Sequence, residues 1–366
     1  MGRQKQGDSS RGARSLGRRL ARGGAVAIAL GLCAIAFGGL TPTVVAASES
    51  TVSWPANLPV YDHIVIVVEE NKDYDEIIGN KDAEFINELA AEGASFTRMF
   101  GEEHNSQGNY FWLFSGSNQG VGFKDKIPTR SLATSNLGQQ LIKKGLSFKG
   151  YSQSLPAVGS TVEKLPPGCG YPCVYGRKHV PWISFKNVPN GASLETSSNL
   201  RFADFPADFT RLPTVAFVIP DLDHDMHNVD DADPAASFPK SIRTGDGWLR
   251  ENLGPYYQWA KTHNSLLIVT FDESNDKSGV LGLTNPSATP DHDQRQLDLQ
   301  NRIATVIAGD HVKPHYVEAQ AVTHVNILRT IEAMYGLPKS GAQQVNAMHA
   351  GIGDDRIETD AFQPVR

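Results

Sequence analysis

The chain has 366 residues, 40% of them apolar, with 34 Lys or Arg against 40 Asp or Glu. That balance excludes a protein that holds nucleic acid by a basic footprint or adheres passively to anionic lipid. The length allows one large core or two smaller ones.

Residues 1–47 have the three-part layout of a secretory signal. A basic stretch containing Arg18 and Arg19 is followed by an apolar run over 25–40 and a small-residue exit ending Val45-Ala46-Ala47. Export is expected, by a Sec or a twin-arginine route. The apolar run is about 16 residues, short for the ~20 of a membrane span, so no stable anchor is expected. Removing this segment takes away seven Lys or Arg and one Asp, leaving 27 basic against 39 acidic residues, a net charge near −12. Cys169 and Cys173 are then the remaining thiols, and CGYPC reads as a small disulfide loop in an exported chain. A zinc pair is the alternative, weakened by the lack of nearby ligand residues.

The stretch HIVIVVEENKDYDEIIGN, 63–80, opens on a β-branched run that suits a strand buried on both faces of a parallel sheet. It stops on Glu69, Glu70 and Asn71, with Asp73 and Asp75 close behind, so a buried strand delivers oxygen donors at its carboxyl end. KDAEFINELAAEGA predicts a helix stopped by Gly93, and ASFTRMF a second strand. In EEHNSQGNYFWLFSG, 102–116, polar residues lead into a helix from Asn109. SNLGQQLIKKG predicts a helix and LSFKGYSQ a strand. Residues 155–213, rich in Pro, Gly, Ser and Asn, predict a loop-rich cap over the sheet. TVAFVIPDLDHDMHN returns to the buried-strand pattern, and WLRENLGPYYQWAKTH predicts two helices offset at Gly254-Pro255. SLLIVTFDES is a further strand, 274–300 an inserted loop, RIATVIAG another strand, and HVNILRTIEAMYG a closing helix before a tail at 346–366. Strands alternating with helices define an α/β fold with a largely parallel central sheet, helices on both faces, and one catalytic domain over 48–345.

A parallel sheet gathers its strand exits in one crevice. Glu70, Asn71, Asp272 and Glu273 offer oxygen donors suited to one hard divalent metal ion, its identity open. Ser106 precedes a helix-like run, where it can cap the helix or present a nucleophile beside N–H groups that favour a phosphate. His104, His227 and His324 stand at element boundaries, fit to bind phosphate oxygens or protonate a leaving group. His179, with Arg177 and Lys178, forms either an oxyanion clamp or a solvated basic turn. His311 and His315 read as surface. No GxxxxGK[ST], no helix-opening GxGxxG, no HExxH and no GxSxG occurs.

The blocks VVEENKDYDEIIGN, HNSQGNYFWLFSG, YGRKHVPW, FVIPDLDHDMHN, TFDES and THVNILRTIEAMYGLP resemble, in order, those of the bacterial and fungal phosphoesterase family of secreted acid phosphatases and phospholipases C. In LPAVGSTV, RKHVPW and AKTHNSLLIVTFDE the similarity is to its mycobacterial, phosphoinositide-directed members. The resemblance implies an alkaline-phosphatase-like fold and a secreted acid phosphatase acting on phosphomonoesters, a phosphoinositide headgroup among them. It implies Ser106 as nucleophile, Asn109, His179 and Asp225 beside the phosphate, His104, His227 and His324 as catalytic histidines, and Glu70, Asn71, Asp272 and Glu273 on the metal. Three departures stand out: Gly108 where the family has Pro, expected to loosen the nucleophile turn; Asp221 where it has Asn; and the 274–300 insert carrying Asp291, His292 and Asp293. A phospholipase C-type phosphodiesterase is the alternative activity, and a non-catalytic exported binding protein the alternative from another class.

Overall fold

β1 (His63–Glu69) is buried at every position after the first, because Ile and Val on both faces leave no side for water. In the computed structural model the described residues are 53–121, 126–170, 173–228, 232–275, 301–341 and 356–364. The expected leader at 1–47 and nearly all of the expected insert, including Asp291, His292 and Asp293, lie outside them.

β1 lies inside a nine-stranded sheet with β2 (Ala94–Phe100), β3 (Phe148–Ser152), β6 (Asn199–Arg201), β7 (Val215–Ile219), β8 (Ser265–Phe271), β9 (Arg302–Gly309), β10 (Tyr316–Glu318) and β11 (Val322–Thr323). The order is β10-β2-β9-β8-β1-β7-β3-β6, with β11 also on β2. β1 pairs in parallel with β7 and β8, and β3 does so with β6 and β7. β9 alone runs against its neighbours β2 and β8. The carboxyl ends of β1, β2, β7, β8 and β11 therefore meet on one edge, where β9 places its start and Asn301.

α2 (Glu84–Glu92) packs with α5 (Pro234–Ala260), and α5 packs on β8 and β9. α3 (Ser106–Ser115) packs with α4 (Leu137–Lys143) and with α6 (His324–Met334). The two helices expected across Gly254-Pro255 are one, α5, with Pro239 and Pro255 inside it. Pro255 and Glu251, whose carbonyl loses its usual N–H donor to the proline, are both exposed, so that carbonyl stands on the solvent side of the helix. Leu253, Tyr256 and Ala260 on the other side are buried and hold the helix down.

The segment at 155–213 is more than a cap. It supplies β6 to the sheet and buries Trp182, whose ring packs against Phe114, Phe148 and Phe217 at centroid distances of 5.8–6.4 Å. Gly150 lets that indole lie on β3, since a Cβ there would meet it at 2.1 Å. A short hairpin, β4 (Lys164–Leu165) with β5 (Tyr175–Gly176), carries the Cys169–Cys173 disulfide in its loop.

Candidate active site

Three strand exits are joined by main chain and side chain. Glu70 N–H donates to the Asp225 carbonyl at 2.8 Å, Asp272 N–H to the Glu69 carbonyl at 2.9 Å, and Asn71 N–H to Asp272 Oδ1 at 3.1 Å. Asn71, Asn105 and Met226 all have positive φ, at 52°, 78° and 71°. Such backbone in a non-glycine residue costs about 1–3 kcal/mol and persists where the surroundings enforce it. Each of the three adjoins a candidate functional residue: Glu70, Ser106, and the pair Asp225 and His227.

α3 begins at Ser106, not at Asn109, because Asn105 turns the chain sharply and serves as the cap position. Ser106 is thus the first helical residue, with its hydroxyl at the helix amino end, where N–H groups face outward and the dipole favours an anion. The buried Ser106 Oγ lies 3.2 Å from Glu70 Oε2 and 3.2 Å from Glu273 Oε1. The other Glu273 oxygen accepts from Asn105 N–H at 3.0 Å and holds His104 Nδ1 at 2.7 Å. One carboxylate therefore ties the hydroxyl to an imidazole.

Glu70, His179 and Asp225 converge, with one ligand atom of each within 4.8 Å of the others. His179 Nε2 is 3.1 Å from Glu70 Oε1, and Nδ1 is 3.9 Å from Asp225 Oδ2. The short approach is not aligned as a hydrogen bond: among the described residues neither ring nitrogen of His179, nor Oδ2 of Asp225 or Asp272, has a hydrogen-bond partner. Burial, then repulsion from Asp272 and Asp225, pushes the Glu70 carboxyl well up. Burial likewise raises Asp225 well above its ordinary range. Burial and the neighbouring Glu273 raise Asp272 to about 7. Burial, with Lys178 and His227 adding positive charge, holds His179 well below its ordinary value, so the imidazole is neutral and its lone pair available. The Glu70 carboxylate, the unpartnered Asp225 Oδ2 and the unpartnered ring nitrogens of a neutral imidazole, brought together in a buried place, are a donor set that fits a divalent cation.

Several of the expected site residues are engaged with other protein groups. His179, expected as an oxyanion clamp or in a solvated basic turn, is buried facing Glu70 and Asp225, and Arg177 is bound to the carbonyls of Thr161 and Pro128. Asn71 donates its amide to Glu70 Oε2 at 3.2 Å, which orients that carboxylate. Glu273, expected on the metal, has both oxygens engaged as described above. Asn109, expected beside the phosphate, bonds both N–H and carbonyl of Glu103. His324, expected to touch the phosphoryl group, is held by protein groups at both ring nitrogens: Nδ1 is 2.7 Å from Glu102 and Nε2 is 2.7 Å from the Phe271 carbonyl. His227 flanks the centre, its ring centroid 6.3 Å from that of His179. Gly108 does not loosen the turn. A Cβ there would meet Glu103 Oε1 at 1.5 Å, so the missing side chain is replaced by a buried carboxylate.

Three residues escaped the sequence reading. Tyr110 donates to Glu70 Oε1 at 2.6 Å and stacks on His179 at 5.1 Å. Its signal was the i+4 spacing from Ser106, which places both on one helix face. Lys72 donates to the Met226 carbonyl at 2.6 Å, bracing the Asp225 turn. Glu103 braces the Ser106 turn, and nothing in its local sequence marks it as buried.

A hydroxyl on a helix amino end, beside buried carboxylates and an imidazole, is the kind of centre that hydrolyses esters of phosphoric acid. A family model described as the Phosphoesterase family matches residues 80–338, and the chain belongs to that family. It is similar to the phosphatidylinositol-3-phosphatase of Mycobacterium tuberculosis, 39% identical over 333 residues that cover 90% of this chain and 95% of the other. To the phosphate-repressible acid phosphatase of Penicillium chrysogenum it is 24% identical over 289 residues, 77% of this chain and 60% of that one. Among solved structures, a protein in the alkaline phosphatase superfamily from Vibrio parahaemolyticus overlaps 77% of this chain and 68% of its own, at 11% identity and a TM-score of 0.49.

Proposed function

We propose that this phosphoric monoester hydrolase works through Ser106, with an enzyme-bound phosphoserine between two half-reactions. The observation that carries the reading is the Ser106 hydroxyl at 3.2 Å from both Glu70 and Glu273, at the amino end of α3. Ser106 Oγ passes its proton to the Glu273 carboxylate and attacks phosphorus, the P–O bond to the alcohol breaks, and the leaving oxygen takes a proton from His104, which Glu273 holds by Nδ1. Water then gives a proton to His104 and attacks phosphorus, the Oγ–P bond breaks, Oγ recovers its proton from Glu273, and phosphate is released. Glu70, His179 and Asp225, with Asp272 beside them, would hold a divalent cation. Bound there, such an ion supplies a lowered hydroxyl pKa and neutralises phosphoryl charge. The imidazole among these donors favours a transition ion over the all-oxygen set expected from the sequence.

Phosphatidylinositol 3-phosphate is proposed as one substrate, on the name and extent of the mycobacterial relative. Export is proposed on the layout of residues 1–47. The test is phosphate release from p-nitrophenyl phosphate and from phosphatidylinositol 3-phosphate vesicles, with and without a chelator, together with acid quenching to trap labelled phosphoserine. Ser106→Ala and the chelator are each expected to abolish release, and Ser106→Ala to abolish the label. Full turnover by Ser106→Ala would overturn the mechanism.

A further inference from the structure

Beside the candidate centre lies a cleft of about 600 Å³. His227 lines it, and His227 also neighbours His179, so the cleft adjoins the point where Glu70, His179 and Asp225 converge. Three lysines from three separate segments line the same space: Lys126 beyond α3, Lys164 on β4, and Lys178 in the turn after β5. Among the described residues that line it, Glu163 is the one carboxylate, and its charge acts on the nearby Arg177 guanidinium. In a chain with more acidic than basic residues, three ammonium groups against one carboxylate among the described lining residues make a locally cationic wall.

One part of the wall, at Lys164, is fixed in place. Lys164 Nζ donates to the carbonyl of Cys169, whose disulfide to Cys173 closes the hairpin loop, and Cys173 itself lines the cleft. Leu222 adds apolar surface. A volume of this size takes a small-molecule headgroup, far more than the single phosphate that hydrolysis requires. Lysine ammonium groups recognise phosphate as point charges, without demanding one orientation.

We propose that this cleft binds a second phosphate of the substrate, so that the preferred ester is a phosphomonoester carrying another phosphate group elsewhere on the same molecule. Both a phosphoinositide in a bilayer and a free inositol bisphosphate have that chemistry. The proposal rests on the phosphomonoesterase reading above and extends it to substrate class.

The experiment compares kcat/KM on p-nitrophenyl phosphate, on soluble inositol 1,3-bisphosphate and on phosphatidylinositol 3-phosphate in phosphatidylcholine vesicles, for the full chain and for Lys126→Ala/Lys164→Ala. An exposed ion pair contributes up to about fivefold, so the double variant should lose roughly five- to twenty-five-fold on the second-phosphate substrates relative to p-nitrophenyl phosphate. Lys126→Arg/Lys164→Arg should restore most of that ratio. Loss in both arms supports the cleft as a general second-phosphate site; loss in one arm supports it and names the source as soluble or bilayer-held. An unchanged ratio in both arms overturns it. Should the wild-type chain release no phosphate from p-nitrophenyl phosphate, the phosphatase reading fails separately. Calorimetric titration with inositol 1,3-bisphosphate then decides the cleft, tighter binding than to inositol 3-phosphate supporting it and equal binding overturning it.

Discussion

Ser106 Oγ and Glu70 Oε2 stand 3.2 Å apart although 36 residues separate them in the chain. Glu70 sits at the exit of β1, and Ser106 opens the helix that follows the exit of β2. The pair exists because β9 and β8 set β2 and β1 in one sheet with the same direction. The hydroxyl is thereby delivered to a carboxylate already joined by His179 and Asp225.

Tyr110 holds that carboxylate from the side of α3, donating at 2.6 Å while its ring lies on His179. Tyr110→Phe keeps the ring and removes the hydroxyl. Partners one layer behind a metal ligand typically change affinity by about 10- to 100-fold. Titration of the metal-free enzyme with Zn²⁺ or Mn²⁺ should show a loss of that order, with thermal stability of the metal-free form little changed.

Gly108 is filled by the Glu103 carboxylate, so Gly108→Ala is expected to destabilise the protein by about 1–3 kcal/mol through overpacking. It should also slow turnover by displacing the Ser106 turn. Shortening the obstacle should relieve the strain: Gly108→Ala/Glu103→Ala is expected to be more stable than the sum of the single changes. Denaturant unfolding of the four proteins gives the coupling directly.

Glu103 has a further consequence. Burial raises its carboxyl to about 7 despite the hydrogen bond from Asn118, against an ordinary value of 4.5. The folded state then keeps a proton that the unfolded chain has lost, so its contribution to stability declines as pH rises from about 4.5 to about 7. At 1.36 kcal/mol per unit this amounts to roughly 3 kcal/mol. Glu103→Gln cannot titrate, and its unfolding free energy should fall less over that interval than that of the wild type.

His324 works in the same direction. Burial alone would lower its pKa, but the Glu102 carboxylate and the Phe271 carbonyl outweigh burial and raise it. A raised imidazole stabilises the fold fully below the unfolded value of about 6.5. That contribution is lost as pH rises through the folded value. His324→Gln should therefore be most destabilised, relative to wild type, in mildly acid solution, with the gap narrowing as pH increases. A gap that does not depend on pH would show that the pair is not charged.

Much of the fold was legible because buried parallel strands have a distinctive composition. The runs at 64–68, 215–219 and 266–269 are apolar on both faces, and each is followed within three residues by a charged residue. Helix boundaries were less legible. Asn105 starts α3 early through a positive φ that no periodicity reveals, and Pro255 is tolerated in α5 because its side of the helix is solvated. The segment at 155–213 has no period, so neither β6 nor the burial of Trp182 against distant aromatic rings could be read from it.

By itself, the sequence determined which residues are available for chemistry: Glu70, Ser106, His104, Asp225, Asp272 and Glu273 all follow strand ends, and strand ends of a parallel sheet share an edge. Tertiary structure alone decided how they divide the work. Glu273 turns to Ser106 and His104, while His179, more than a hundred residues beyond Glu70, arrives through an irregular segment to face Glu70 and Asp225. His324 and Asn109 are drawn into supporting hydrogen bonds. The physical reason is that a side chain's role depends on its nearest polar partners and its distance from water, and both are set by contacts between segments far apart in the chain.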